Sequence, residues 1–482
     1  MSKERLDPAL LRLCGVLAVG AFAPLLDTTI VSVAVDVLGR DLGVSTATVQ
    51  WVSTAYLLAF AMIMPVSGWA GERFGTRRVW LGALVLFLVG SWLCGLAGSF
   101  ESLVLSRVLQ GAGGGLMLPV LQTVVIRASG GRQVGRLTAV VSVPALLGPV
   151  LGPVLGGLVL GHVGWRWIFY VNLPVCLLAL ALAWRGVPRD PRRVPGATPR
   201  RGSRLDVVGL ALVCPGLTAL VYGLTRVEGR ADDGRADVLV PVDGLVPTDV
   251  LVPTAAGVVL VAAFVGRSLR SSAPLVDVRL FRVPSFAASS VLMFVGGLTT
   301  YGGMFLLPLY CQAVLDEGVV ATGLLLVPQG MGALAARVTG VLTDRVGARP
   351  VVVAGLLLSS AATVPFVLSA GDGPLVCVAL FLRGFGLSAV NIAVMVGAYQ
   401  GLEDSRVPDA GTATRIVQLV GGCVGTAAFA VLLGRGGQSA AAFAHAFGWT
   451  VALTVCAVAV AALLPGRRTL TAAPPVAAGS RT

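Results

Sequence analysis

The chain has 482 residues, 56% hydrophobic and 12% charged, with a mean hydropathy of +0.88 and a formal net charge of +13. These values exclude a soluble multi-domain protein, and they remove the usual reason to read a basic chain as a nucleic-acid binder. Apolar runs long enough to cross roughly 30 Å of hydrocarbon recur along almost the whole length, so the chain reads as an all-α polytopic membrane protein.

Fourteen spans are predicted, at 13–35, 49–70, 79–98, 102–125, 137–160, 165–184, 205–225, 251–268, 286–309, 319–339, 350–369, 374–398, 409–433 and 442–464. The first is too long for the apolar core of a signal peptide and no small-residue cleavage site follows it, so it reads as a retained span. With the N-terminus inside, 27 basic residues fall in cytoplasmic segments, six in outer loops and three (Arg107, Arg383 and Arg415) within spans. That asymmetry predicts both termini in the cytoplasm. Trp51, Trp69, Trp80, Trp165, Trp167 and Trp184 fall near span ends, where interfacial rings are expected. The eight cysteines are scattered without a C-x-x-C pair and read as packing residues, and the two histidines, His162 and His445, leave little from which to build a metal or haem site.

In the first span stands Asp27, the only one of 23 acidic residues placed deep inside a span. An unpaired carboxylate there costs several kcal/mol, so it is expected either to bind a proton or to face a polar interior with a cationic partner. Arg107 in the fourth span supplies a candidate partner: the two lie roughly 12 and 9 Å below the outer ends of their spans. An arginine stays charged, so a change in their separation changes the proton affinity of the acid. A permanent ion pair is the alternative reading.

The stretch after span two, GWAGERFGTRR, and that after span ten, GVLTDRVGARP, share the pattern G-x-x-x-[DE]-R-x-G-x-R at an offset of 272 residues. Gly68, Glu72, Arg73, Gly75 and Arg77 in the first copy match Gly340, Asp344, Arg345, Gly347 and Arg349 in the second, which predicts two homologous halves with a tight cytoplasmic turn in each. In span five Gly148, Pro149, Gly152, Pro153, Gly156 and Gly157 put small residues on one helix face, suited to close packing and a local bend. The linker 185–204 has seven arginines, one aspartate and four prolines, and is expected to lie solvated near anionic headgroups rather than on nucleic acid. The outer loop 226–250 carries six acids, three arginines and the start of a repeat, LVPVDG, LVPTDV, LVPTAA, which reads as a tolerated duplication that keeps the loop extended. Val276, Leu280 and Val283 share a face in 274–285, predicting a short helix in the inner interface from which Arg279 and Arg282 snorkel. Gln110, Gln122, Gln329, Asn391, Arg383, Arg415 and Gln418 are the candidate polar groups of a substrate cavity; for Arg383, which nearly repeats the position of Arg107 in its own half, a gating or packing role stands beside substrate contact.

The chain resembles the major facilitator superfamily, specifically its fourteen-span drug:proton antiporter branch. APLLDTTIVSVAVD (23–36) is similar to the branch's first-span motif, with Ser32 where asparagine and Asp36 where proline are usual, and the two loops resemble the superfamily's loop motif, with Glu72 in place of aspartate. SRVLQGAGGG (106–115) resembles the fourth-span motif, LLGPVLGPVLGG (146–157) the antiporter motif of span five, WRWIFYVNLP (165–174) the start of span six, and VQLVGGCVGTA (417–427) span thirteen. The resemblance implies the major facilitator fold with fourteen helices arranged 6+2+6. The expected organisation is a cytoplasmic N-terminus 1–12, a six-helix bundle 13–184, the linker 185–204, two extra helices within 205–285, a second bundle 286–464 and a cytoplasmic tail 465–482. It further implies a monomer in the cytoplasmic membrane that exports hydrophobic, amphiphilic or cationic small molecules and takes in protons through Asp27, driven by the proton gradient without a cofactor. No P-loop lysine motif offers ATP as the fuel, and no H-E-x-x-H motif, paired intramembrane acids or His dyad suggests an enzyme. An uptake symporter of the same fold and a non-transporting sensor remain the alternatives.

Overall fold

In hydrocarbon a backbone must satisfy its own polar groups, and the described elements of this chain are accordingly helices. The computed structural model describes residues 8–129, 137, 140–141, 143–188, 205–226, 248–271, 274–368, 373–399, 407–436 and 439–464. Most of the linker 185–204, most of the outer loop 226–250, the tail from 465 and the first seven residues lie outside the described residues. The last copy of the LVP repeat, LVPTAA (251–256), is described and is helical within Thr248–Arg270 with Pro253 inside the helix, which corrects the expectation that its proline keeps it extended.

The N-terminal half comprises α1 (Pro8–Leu42), α2 (Trp51–Ile63), α3 (Val66–Phe74), α4 (Thr76–Leu96), α5 (Phe100–Ser129), α6 (Val143–His162) and α7 (Arg166–Gly186). Two helices, α8 (Val207–Arg226) and α9 (Thr248–Arg270), separate it from α10 (Pro284–Ala313), α11 (Val319–Thr343), α12 (Ala348–Val367), α13 (Gly373–Tyr399), α14 (Val407–Gly436) and α15 (Ala440–Ala461). Among the described residues, twelve segments are long and apolar enough to cross a membrane singly; α2 and α3 form a pair bent by 54°, and Val150–His162 is a shorter apolar helix. The predicted second span is therefore bent, at Met64 and Pro65, and its motif stretch continues as helix to Phe74 instead of turning at once.

Helix pairing repeats between the halves. α1 packs on α6 as α10 packs on α14, α2 and α4 pack on α5 as α11 and α12 pack on α13, and α4 packs on α7 as α12 packs on α15. The two motif glycines repeat down to the backbone angle: Gly75 and Gly347 both have φ of 91°, which a side chain would strain. The halves touch where a Cβ on Gly157 would fall 2.8 Å from the Val319 carbonyl oxygen and where Gln312 Nε2 donates to the Val33 carbonyl at 3.3 Å.

Two local expectations are corrected. The interfacial element is a five-residue 3-10 turn, Val278–Arg282, capped by Asp277, whose side chain accepts from the Arg279 N–H; it is not a helix over 274–285. Its apolar face is real: Leu280 is buried with Phe286, Ala398 and Ala413, and Val276 and Val283 pack against them. Trp80 and Trp165 are buried at 0% and 4% exposure, so they are core residues and not interfacial rings. Trp80 fits because Gly20 of α1 has no side chain; a Cβ there would lie 2.6 Å from the indole.

Candidate functional site

Asp27 sits in the α-helical part of α1, one turn before the helix tightens into a 3-10 turn at Val31–Ala34. Hydroxyls that bond back to carbonyls bend helices in this way: Thr29 Oγ1 donates to Leu26 O at 2.9 Å and Ser32 Oγ to Thr29 O at 2.6 Å. The carboxylate points into the bundle. Its Oδ2 accepts from Arg107 Nη1 at 2.5 Å, and its Oδ1 accepts from Gln110 Nε2 and Asn172 Nδ2, both at 2.9 Å. Arg107 and Gln110 share a face of α5 because they are three residues apart. Gln110 also accepts from Arg107 Nη1 at 2.5 Å and donates to Ser91 Oγ of α4 at 2.8 Å. Arg107 Nε donates to the Val52 carbonyl at 2.9 Å, and its guanidinium carbon lies 4.1 Å from the Tyr56 ring centroid. Tyr56 in turn donates to the Pro24 carbonyl at 3.1 Å. Asp27, Gln110, Asn172 and Ser91 are 0% exposed and Arg107 1%, so α1, α4, α5 and α7 enclose one charge pair in one polar network.

This network borders the seam between the halves. A cavity of about 20 Å³ is lined by Ser32, Tyr56 and Arg107 from one half and Tyr301, Met304 and Thr426 from the other. A second, of about 30 Å³, shares Ser32 and Met304 and adds Pro153 and Gln329. Each has room for a water molecule. Asp27 itself does not line either space; Arg107 stands between the carboxylate and the crevice.

The other candidates divide. Arg415, Gln418 and Asn391 are brought together: Arg415 Nη1 donates to Gln418 Oε1 at 2.6 Å, and Gln418 Nε2 to Asn391 Oδ1 at 2.7 Å. Gln329 reaches the crevice with its Oε1 lacking a partner among the described residues. Gln122 is exposed and belongs to none of these networks. Arg383 is 0% exposed and donates from Nη2 to the Thr299 carbonyl at 2.9 Å, while its Nε and Nη1 lack partners among the described residues.

The glycines of the span-five motif work as contact surfaces. A Cβ on Gly148 would fall 3.0 Å from Leu25 O and one on Gly156 2.8 Å from Ile30 O, so both press on α1; Gly152 presses on Thr29, while Gly157 faces α11. Thr29 Oγ1 also donates to Gly148 O at 3.0 Å. Pro153 borders the crevice; the Pro149 side chain lies outside the described residues. In the loop motifs Glu72, Arg73, Arg345 and Arg349 are exposed, Gly68 and Gly340 lie on the preceding helices, and the Asp344 side chain is outside the described residues. Arg77 donates to the Trp184 carbonyl and lies 5.8 Å from the Trp184 ring, which ties the first loop to α7.

Sequence reasoning missed three members of the acid's network. Asn172 lay inside the quoted span-six stretch, but a neutral amide carries no burial cost that flags it. Ser91 and Tyr56 gave no signal.

A family model described as Major Facilitator Superfamily matches residues 17–430. The chain belongs to this superfamily. A relative from Mycobacterium tuberculosis named multidrug resistance protein B homolog is 37% identical over 436 residues, covering 89% of this chain and 77% of that one. A second, the tetracenomycin C resistance and export protein of Streptomyces glaucescens, is 31% identical over 423 residues, covering 86% and 74%. Among solved structures, a D-xylose–proton symporter superposes with a TM-score of 0.65 at 15% identity, covering 95% of this chain and 98% of that one. A bacterial homolog of the human lysosomal transporter Spinster, inward-facing and unoccupied, gives 0.64 at 16%, covering 95% and 97%. The chain is thus a multi-pass membrane protein with the superfamily's all-helical transporter fold.

Proposed function

We propose that the chain expels hydrophobic or amphiphilic compounds across the cytoplasmic membrane in exchange for protons, as a monomer with both termini inside. Fourteen crossings in a 6+2+6 arrangement follow if the bent pair α2–α3 counts as one crossing and α6 as another beside the twelve long helices. Export is supported by the names of the two relatives described above, one for multidrug resistance and one for resistance and export. The fold does not choose a direction, since the xylose–proton symporter shares it.

The observation that carries the coupling is the buried Asp27–Arg107 pair with Arg107 lining the crevice. A proton on Asp27 neutralises the carboxylate and releases the guanidinium, which still holds Val52 O and the Tyr56 face but now offers its charge to the crevice. Proton binding and crevice occupancy are then linked through one side chain, and the linkage is reciprocal. The proton gradient supplies the energy, about 2.3 kcal/mol per charge per 100 mV, without a cofactor.

The test is exchange in vesicles holding the purified full chain under an imposed pH gradient, with ethidium as a fluorescent lipophilic probe. Wild-type chain should move the dye opposite to the protons, whereas Asp27→Asn should leave only leak. Undiminished exchange by Asp27→Asn sinks the coupling role; dye moving with the protons sinks export in favour of uptake.

A further inference from the structure

A space larger than either crevice cavity lies away from the crevice. Between α2 and α14, beside the two extra helices, lies a cavity of about 380 Å³ lined by Met62 of α2, Leu217 of α8, Phe264 of α9, Phe294 of α10 and Ile416 of α14. That volume lies within the range of about 300 to 1,000 Å³ typical of small-molecule sites. Its lining is apolar throughout, so it offers water no partners, and its natural filling inside a bilayer is hydrocarbon. The helices that wall it off, α8 and α9, face outward with exposed apolar side chains such as Val252, Val258 and Val259 at 61%, 55% and 65% exposure.

The cytoplasmic rim has the opposite character. The 3-10 turn Val278–Arg282 sends Val278 and Phe281 into the cavity wall and leaves Arg279 and Arg282 exposed. Arg270, at the end of α9, is exposed beside them, and Arg279 Nη2 anchors the junction by donating to the Leu269 carbonyl at 2.8 Å. Two acids near this rim have partners: Asp206 Oδ1 accepts from Arg267 Nε and the Gly209 N–H, both at 2.8 Å, with its Oδ2 unpartnered among the described residues, and Asp277 caps the turn.

We propose that this chamber is a lipid site for an anionic phospholipid of the cytoplasmic leaflet, with one acyl chain inside the cavity and the phosphate on Arg270 and Arg282. Charge selects this occupant. Arginines at a membrane surface attract anionic headgroups, a lipophilic cation is repelled by the same rim, and a neutral amphiphile makes no use of it. The acyl chain fills the gap between α2 and α14, the helices that meet nearer the outer side where Cys423 Sγ contacts the Thr54 carbonyl at 3.9 Å.

Native mass spectrometry of the full chain tests this, with phosphatidylglycerol and phosphatidylcholine of identical chains added in equal amounts. One phosphatidylglycerol should be retained in preference. Arg270→Gln with Arg282→Gln, both exposed and remote from the core, should lower that preference roughly fivefold per arginine. Leu217→Trp should abolish retention of either lipid, with Val259→Trp on the outer face of α9 as a control that leaves it intact; ethidium exchange by each variant verifies folding. Equal retention of both lipids by wild type, an unchanged preference in the double arginine variant, or full retention by a folded Leu217→Trp would each overturn the assignment. Displacement of the lipid by tetraphenylphosphonium would overturn it in favour of transported cargo.

Discussion

Arg107 and Arg383 are both fully buried arginines in matching helices of the two halves, yet their surroundings differ in kind. Arg107 faces a carboxylate, an amide, a backbone carbonyl and an aromatic face. Arg383 has a single carbonyl partner, that of Thr299. Thr299 follows Asp27 at the same 272-residue offset that separates Gly75 from Gly347, so a threonine stands in the second half where the acid stands in the first. Its hydroxyl turns back to its own helix, donating to Val295 O at 3.0 Å. The lesson is that helix pairing repeats while chemistry does not. Among the described residues, one half pairs its buried arginine with a carboxylate, whereas the other leaves its arginine with a backbone carbonyl alone.

The comparison breaks most visibly at Arg107. Arg107→Met leaves Asp27 buried without its cation, and should destabilise the chain by about 3–5 kcal/mol in thermal unfolding as well as abolish proton-driven exchange. The same substitution at Arg383 should go the other way. Arg383→Met removes a buried charge that has no acid, so it is expected to be neutral or to stabilise by up to about 4 kcal/mol in the same assay. Equal losses at the two sites would show that the halves are not energetically distinct. Asn172→Ala sharpens the first site, since it deletes one hydrogen bond to the carboxylate at an expected cost of about 1.5–3 kcal/mol and should lower the exchange rate without ending it. Gln122→Ala, at an exposed residue outside both networks, should change stability by less than about 0.5 kcal/mol.

Legibility followed cost. Asp27, Arg107 and Arg383 stood out because an ion within an apolar run is expensive and therefore rare. Gln110 was legible only as a polar candidate for a substrate cavity and not as a partner of Asp27, and the partition of the cavity candidates was not legible. Arg415, Gln418 and Asn391 form one cluster, whereas Arg383 lies with Thr299 and Gln122 with none of them, because which face of a long apolar helix looks inward depends on its neighbours. The same limit explains Trp80, placed at an interface by its sequence position and buried in the structure by the missing side chain of Gly20.

From sequence alone came the membrane, the family, the repeated halves and the one acidic residue deep among the spans, since hydropathy, charge placement and motif spacing are written locally. Only the tertiary structure decided that Asp27 is shared by Arg107, Gln110 and Asn172, that Arg383 meets the Thr299 carbonyl, and that the extra helices border an apolar cavity. The reason is physical. Neutral donors and cavities have no signature in a single segment; they arise where side chains from several helices converge.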